Sequence, residues 1–321
     1  MPTTGRILYH LTRASGPSGG IKVMLEHVRV LRTAGFDAFA YTKNLEQRPV
    51  SFDIDVPFLS GSISIRANDI IIRPETFLAR DLLKAARGGL WQVVFVQNHF
   101  YCRHSLGEAQ NYSELGVADV FCASSRIRRF LMENNVAEDV PVIPCSIGKV
   151  PTNPSEKIER IIALPRKRPL EFDVIKHLFA LRHPHLAVIP WVRIENLPHA
   201  EVLEALSKST IFLSLQRFEG FGLPALEAMA AGCLVVGFTG DGGDDYADVS
   251  NGIWIKEDAL EAAADGLAKA ATGLRSDSIE ANAMLEAGAV TVAHFSEEVR
   301  NAALIDYFQK LQTRGPVAGF T

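Results

Sequence analysis

Short apolar runs alternate with segments whose apolar residues recur at helical spacing along most of the chain. In the first half, residues 6–11, 36–42, 69–74, 91–98 and 117–124 predict strands. Between them, Ile21, Met24, Leu25, Val28 and Leu31 share one helical face, and Gly35 stops that helix. Residues 78–87 and 125–134 predict two more helices, and 140–148 reads as a closing strand. The Pro-containing stretch 149–157 reads as a linker. In the second half, 160–165, 185–192, 210–215 and 233–238 predict strands. Helices are expected from about 169 to 181 and over 199–209, 224–231, 259–271 and 295–312. Strands alternating with helices in both halves predict two doubly wound α/β domains. In such sheets ligands bind beyond the carboxyl ends of the strands, and with two domains the cleft between them is the expected active site.

Composition narrows the function classes. Hydrophobic residues make up 47% of the 321 and charged residues 22%, which suits globular domains with real cores. The net charge of -4 argues against a general nucleic-acid binder, so no nucleic-acid partner is expected. The four cysteines are scattered with no C-x-x-C pair, as for reduced, buried thiols. The N-terminus carries no apolar signal core and no stretch approaches the length of a membrane span, so a cytoplasmic location is expected.

The most informative stretch is EGFGLPALEAMAAG, residues 219–232. Pro224 suits the start of a helix and Gly232 its end. Glu219 then falls in a loop and Glu227 in the first helical turn. The turn Gly220-Phe221-Gly222-Leu223 directs backbone N–H groups outward from a helix start, which attracts an anion. Two carboxylates beside an anion site make sense if the ligand is part phosphate and part polyol, as a nucleotide sugar is. The simpler alternative is that both acids complement the helix dipole. A glycine-rich turn at 15–20 opens another βαβ unit, but it lacks the full G-x-G-x-x-G of a dinucleotide site.

The whole pattern resembles the GT-B glycosyltransferases, most closely the large retaining, family 4-like group marked by a C-terminal E-x7-E motif. Glu219-Gly-Phe-Gly-Leu-Pro-Ala-Leu-Glu227, continued by Ala-Met-Ala-Ala-Gly232, carries the resemblance. Weaker matches are Gly19-Gly20 before the first helix, the strand and serine turn at 120–125, and the strand end at 142–148. The resemblance implies an N-terminal Rossmann-like domain over 1–150 on the acceptor side. It implies a donor-side domain over 151–294, and a final helix, 295–321, that returns to the N-terminal domain.

The resemblance also implies roles. Glu227 would accept hydrogen bonds from ribose hydroxyls and Glu219 would hold a hydroxyl of the transferred sugar. The amides of Phe221, Gly222 and Leu223 would face sugar and phosphate. Gly19 and Gly20 would bring the N-terminal loop to the diphosphate, and His99 would reach the donor sugar. Families of this type need no divalent metal or other cofactor, so fixed cations must stabilise the leaving diphosphate. Arg166, Lys167 and Arg168 stand where the family places an arginine and a lysine, here compressed into one triplet.

Three further groups have two readings each. Asp241, Asp244 and Asp245 form either a polar loop or a metal site. Arg126, Arg128 and Arg129 form a solvated helix face or a weak contact with acceptor phosphate or with anionic lipid at the inner membrane face. Asp37 starts a strand or mimics the ribose carboxylate of a dinucleotide site. The expected activity is transfer of a hexose or deoxyhexose from a nucleotide diphosphate sugar to a carbohydrate or lipid-linked hydroxyl acceptor, in surface polysaccharide or glycan synthesis. The alternatives are a catalytically silent nucleotide-sugar-binding or scaffold protein of the same fold, and an NAD-dependent oxidoreductase.

Overall fold

The structure is a computed structural model that describes residues 5–12, 19–44, 54–152 and 157–315. The chain divides into two compact units, Met1–Cys145 with Glu298–Thr321, and Ser146–Glu297.

In the first unit, the strands are β1 (Ile7–His10), β2 (Ala38–Thr42), β3 (Phe58–Ser60), β4 (Ile70–Pro74), β5 (Trp91–Val96) and β6 (Asp119–Cys122). They form one parallel sheet in the order β3-β2-β1-β4-β5-β6. That is the dinucleotide-fold order, with its switch point between β1 and β4. Strands buried on both faces need continuous apolar runs, and β1, β4 and β5 are buried throughout. Helices α1 (Gly19–Thr33), α2 (Ala79–Arg87), α3 (Cys102–Leu106) and α4 (Ser125–Glu133) belong to this unit. The Ser124 hydroxyl caps α4 by accepting from the Ile127 amide.

The second unit contains β7 (Ile158–Ala163), β8 (Trp191–Arg193), β9 (Ser209–Leu215), β10 (Leu234–Phe238) and β11 (Ile253–Trp254), ordered β11-β10-β9-β7-β8. Its helices are α5 (Pro169–Arg182), α6 (His199–Ser207), α7 (Leu223–Ala230), α8 (Leu260–Arg275) and α9 (Ile279–Ala293). This is the other common doubly wound order, with its switch point between β7 and β9. Ile161, Phe172, Phe179, Leu213, Val236 and Leu267 share its core. The last helix, α10 (Glu297–Arg314), packs in the first unit: buried Arg300 bonds Glu26 at 2.6 Å, and Phe308 lies against Tyr9 and Phe121.

Several expectations need correction. Residues 140–148 are not a strand, and their one pairing is a bridge between Cys122 and Val142. Pro141 and Pro144 remove the backbone donors that a ladder needs. Residues 185–192 give a 3-10 turn, Pro184–Leu186, and a strand only from Trp191, because Pro184 opens the turn just ahead of the run and Pro190 interrupts it. Strands β3 and β11 are too short to leave a pattern, and α9 spreads its apolar residues around the helix. The turn expected over 15–20 lies outside the described residues up to position 18, and α1 already begins at Gly19. Part of the expected linker, 153–156, is also outside them.

Candidate functional site

The second unit gathers its chemistry beyond the carboxyl ends of β7 and β9, at the switch point. β9 ends at Leu215, and the chain turns through Gln216, Arg217, Phe218, Glu219, Gly220, Phe221 and Gly222 into α7. Phe218 takes φ +50° and Gly222 φ +87°. A Cβ on Gly222 would stand 1.8 Å from Gln216 Oε1, so only glycine fits. The Gly222 carbonyl accepts from Tyr246 Oη at 2.6 Å and from Gln216 Nε2 at 3.2 Å. The loop after β10 fixes the other side. The Glu219 amide donates to the Gly240 carbonyl at 2.9 Å, and a Cβ on Gly242 would lie 2.4 Å from the Phe221 nitrogen. Burial raises the Tyr246 phenol pKa, which keeps it a neutral donor.

On this frame the two glutamates have separate partners. Lys167 Nζ lies 2.8 Å from Glu219 Oε1 and also donates to the carbonyls of Arg217 at 2.8 Å and Phe218 at 3.3 Å. Glu227 is mostly buried, with Oε1 2.7 Å from His199 Nε2. Its Oε2 has no partner among the described residues. Glu227 is the fifth residue of α7, so it opens the second turn and not the first as expected. The amides of Phe221, Gly222 and Leu223 find no acceptor among the described residues, as the start of a helix dictates. Fixed N–H donors, one ammonium and two carboxylates therefore line one short turn.

The basic triplet splits three ways. Arg166 is exposed with no ion pair among the described residues, while Lys167 holds the loop. Arg168 is only 1% exposed. Its guanidinium pairs with Glu257 and Asp258, bonds the Gln216 carbonyl at 3.2 Å and lies 4.6 Å from the Phe238 ring centre. Glu257 in turn accepts from the Gly240 amide at 3.0 Å. Arg168 thus supports the corner that pins Glu219, a position fixed by burial and not legible in the triplet.

The remaining expected residues lie in the first unit. His99, at the end of β5, is 3% exposed and packs on Phe100 and Phe130 with ring centres 4.2 and 4.7 Å away. The Asn98 side chain caps its 3-10 turn by accepting from the Phe100 amide at 3.0 Å. Gly19 and Gly20 open α1, and a Cβ on Gly20 would come 3.1 Å from Gln97 Nε2. Asp37 makes an exposed ion pair with Arg32 at 2.9 Å. Arg128 and Arg129 are exposed on α4. No group of three or more metal-ligating side chains occurs among the described residues, so Asp241, Asp244 and Asp245 do not converge as a ligand set there. No helix among them is long and apolar enough to cross a membrane. Sequence reasoning missed Gln216, Tyr246, Glu257 and His199. Only Gln216, next to the motif, offered a local signal.

Residues 193–287 match the family model of the glycosyl transferases group 1. The chain is 30% identical over 302 residues to an alpha-1,6-glucosyltransferase of Actinobacillus pleuropneumoniae serotype 7, covering 88% of this chain and 90% of that one. A glycosyltransferase of Rickettsia africae has a similar structure, with a TM-score of 0.69 at 15% identity over 96% of this chain and 99% of that one. Anabaena HepE in complex with UDP-glucose superposes with a TM-score of 0.67 at 13% identity, covering 95% and 99%. These neighbours share the GT-B fold, in agreement with two Rossmann-like units, each with a parallel sheet.

Proposed function

Because this chain belongs to the group 1 glycosyl transferases, we propose that it is a retaining, metal-independent hexosyltransferase that moves glucose from a uridine diphosphate donor to a hydroxyl of a carbohydrate or lipid-linked acceptor. The observation that carries the reading is the turn at 216–227. It offers open amides and Lys167 for phosphate, Glu219 for a sugar hydroxyl and Glu227 Oε2 for ribose. Glucose and uridine are favoured by the similarity to an alpha-1,6-glucosyltransferase and to HepE, whose structure contains UDP-glucose. Family membership also replaces the oxidoreductase alternative.

In the proposed step the acceptor oxygen bonds to the anomeric carbon as the bond from that carbon to the β-phosphate oxygen breaks. The hydroxyl proton passes to the departing phosphate on the same face. Negative charge grows on the phosphate, where Lys167 and the amides of Phe221, Gly222 and Leu223 act as preorganised donors. Exposed Arg166 supplies a second cation, and Arg168 acts through Glu257 by holding the Gly240 corner. His99, Gly19 and Gly20 keep their donor-side assignments as part of this proposal. A role in surface polysaccharide or glycan synthesis belongs to it as well, with any membrane contact limited to the basic face of α4.

The test is thermal unfolding with UDP, GDP, dTDP, their common sugars and NAD, followed by donor turnover in EDTA and NMR of the product anomer. Stabilisation by uridine nucleotides, EDTA-resistant turnover and an α-linked product are expected. Binding without turnover would mark a silent scaffold. An inverted product would overturn retention, and activity abolished by EDTA would overturn metal independence.

A further inference from the structure

The switch point of the first unit holds a buried cation that no carboxylate among the described residues pairs with. Arg73, on β4, is 8% exposed, and His10, at the end of β1, is 4% exposed. They are neighbours across the sheet, one step beyond the paired Tyr9 and Ile72. Arg73 Nη1 donates to His10 Nδ1, which leaves the imidazole proton on Nε2. That is the only side-chain hydrogen bond of Arg73 among the described residues, although a guanidinium has about five N–H donors. Its Nε is fully buried with no partner among the described residues. No carboxylate there pairs with it; Tyr41 and, less, Asp81 on α2 act on it only through longer-range charge. The Phe77 ring beneath it, 4.5 Å from its centre, offers some cation–π attraction but no hydrogen-bond acceptor.

The neighbourhood adds positive potential. Burial, the Arg73 charge and the Lys43 charge hold His10 down at about 3, so it is neutral at physiological pH. Burial also lowers Arg73, to about 10, which leaves it charged near neutrality. Tyr41 packs on His10 with ring centres 4.7 Å apart and donates its hydroxyl proton to the Gly61 carbonyl. A buried guanidinium whose donors are unmet among the described residues, at the carboxyl edge of a doubly wound sheet, is arranged to receive an oxyanion.

We propose that Arg73 and His10, with Lys43 at the rim, form an oxyanion subsite in the first unit that binds a phosphoryl group. The phosphoryl group comes either from a phosphorylated acceptor or from the donor diphosphate. The two sources share one chemistry and differ in their competition with nucleotide. Only the assignment of the source rests on the glycosyltransferase reading.

The experiment titrates the full-length protein with inorganic phosphate, by calorimetry and 31P NMR line broadening, with and without saturating UDP. Wild-type protein is expected to bind phosphate at millimolar concentration. Arg73→Met should weaken that binding by about tenfold or more, and Lys43→Glu, an exposed change, by several-fold. Phosphate binding that persists under UDP, with unchanged UDP affinity in Arg73→Met, assigns the subsite to an acceptor. Competition with UDP, and weaker UDP binding in the variant, assigns it to the donor. Either pattern supports the subsite. A wild-type protein that does not bind phosphate, or a folded Arg73→Met variant that binds it undiminished, overturns the proposal. If Arg73→Met does not fold, undiminished binding by Lys43→Glu overturns it. Loss of all nucleotide binding alongside intact, Arg73-dependent phosphate binding would sink the donor reading and leave this one standing.

Discussion

Lys167 Nζ lies 2.8 Å from Glu219 Oε1, joining the residue just after the first strand of the second unit to the first glutamate of its glycine-rich turn. The pair is partly exposed, so as a surface ion pair it adds little stability. Its value is positional: it fixes a cation and a carboxylate side by side where the turn opens its amides. Replacing Lys167 with Met should lower kcat/KM for glycosyl transfer by about 100-fold or more while the melting temperature stays nearly constant. Steady-state kinetics with a matched unfolding curve checks both halves.

Glu227 is gripped on one oxygen by His199 and open on the other. On the proposed ribose role, Glu227→Gln should raise the donor KM by about tenfold, with a smaller effect on kcat, because such contacts are made equally before and during transfer. His199→Ala should raise the same KM less, through a looser carboxylate. Equal losses in kcat and kcat/KM for Glu227→Gln would move its role to the transition state.

Gly222 faces Gln216 so closely that an added methyl group would overlap its Oε1 at 1.8 Å. Gly222→Ala should therefore destabilise the second unit by about 2 kcal/mol or more, combining positive-φ strain with the clash. The double variant Gly222→Ala with Gln216→Ala should recover the part due to the clash but not the backbone strain. Denaturant midpoints of Gly222→Ala, Gln216→Ala and the double variant separate the two causes.

Glu75 follows β4 and is buried in the first unit, where desolvation lifts its carboxyl from 4.5 to about 7 against the opposing pull of the Gln97 and Asn98 amides. The folded state therefore holds this proton more tightly than the unfolded chain. Its contribution to stability is complete below about 4.5 and is lost as pH rises through about 7. Glu75→Gln removes the ionisation. It should gain stability over wild type by about 3 kcal/mol between pH 4.5 and pH 8. Urea unfolding of both proteins at the two pH values measures the difference, and an equal gap at both would refute it.

The residues that sequence alone fixed are those whose physics is local. The glycine-rich turn into a short helix followed from the spacing of Gly222, Pro224 and Gly232, because helix starts, helix ends and positive-φ glycines depend on a few adjacent residues. Alternating strands and helices likewise implied doubly wound units, since apolar periodicity records burial along one element. Tertiary structure decided what depends on residues far apart in the chain. Three consecutive bases received three environments: Arg166 exposed, Lys167 on Glu219 and Arg168 buried against Glu257 and Asp258. His199 reached Glu227 across 28 positions, and Arg73 met His10 across 63. No local propensity encodes such pairs. They come from strand order, which brings the ends of distant strands to one edge where desolvation and the scarcity of partners determine what each charge can do.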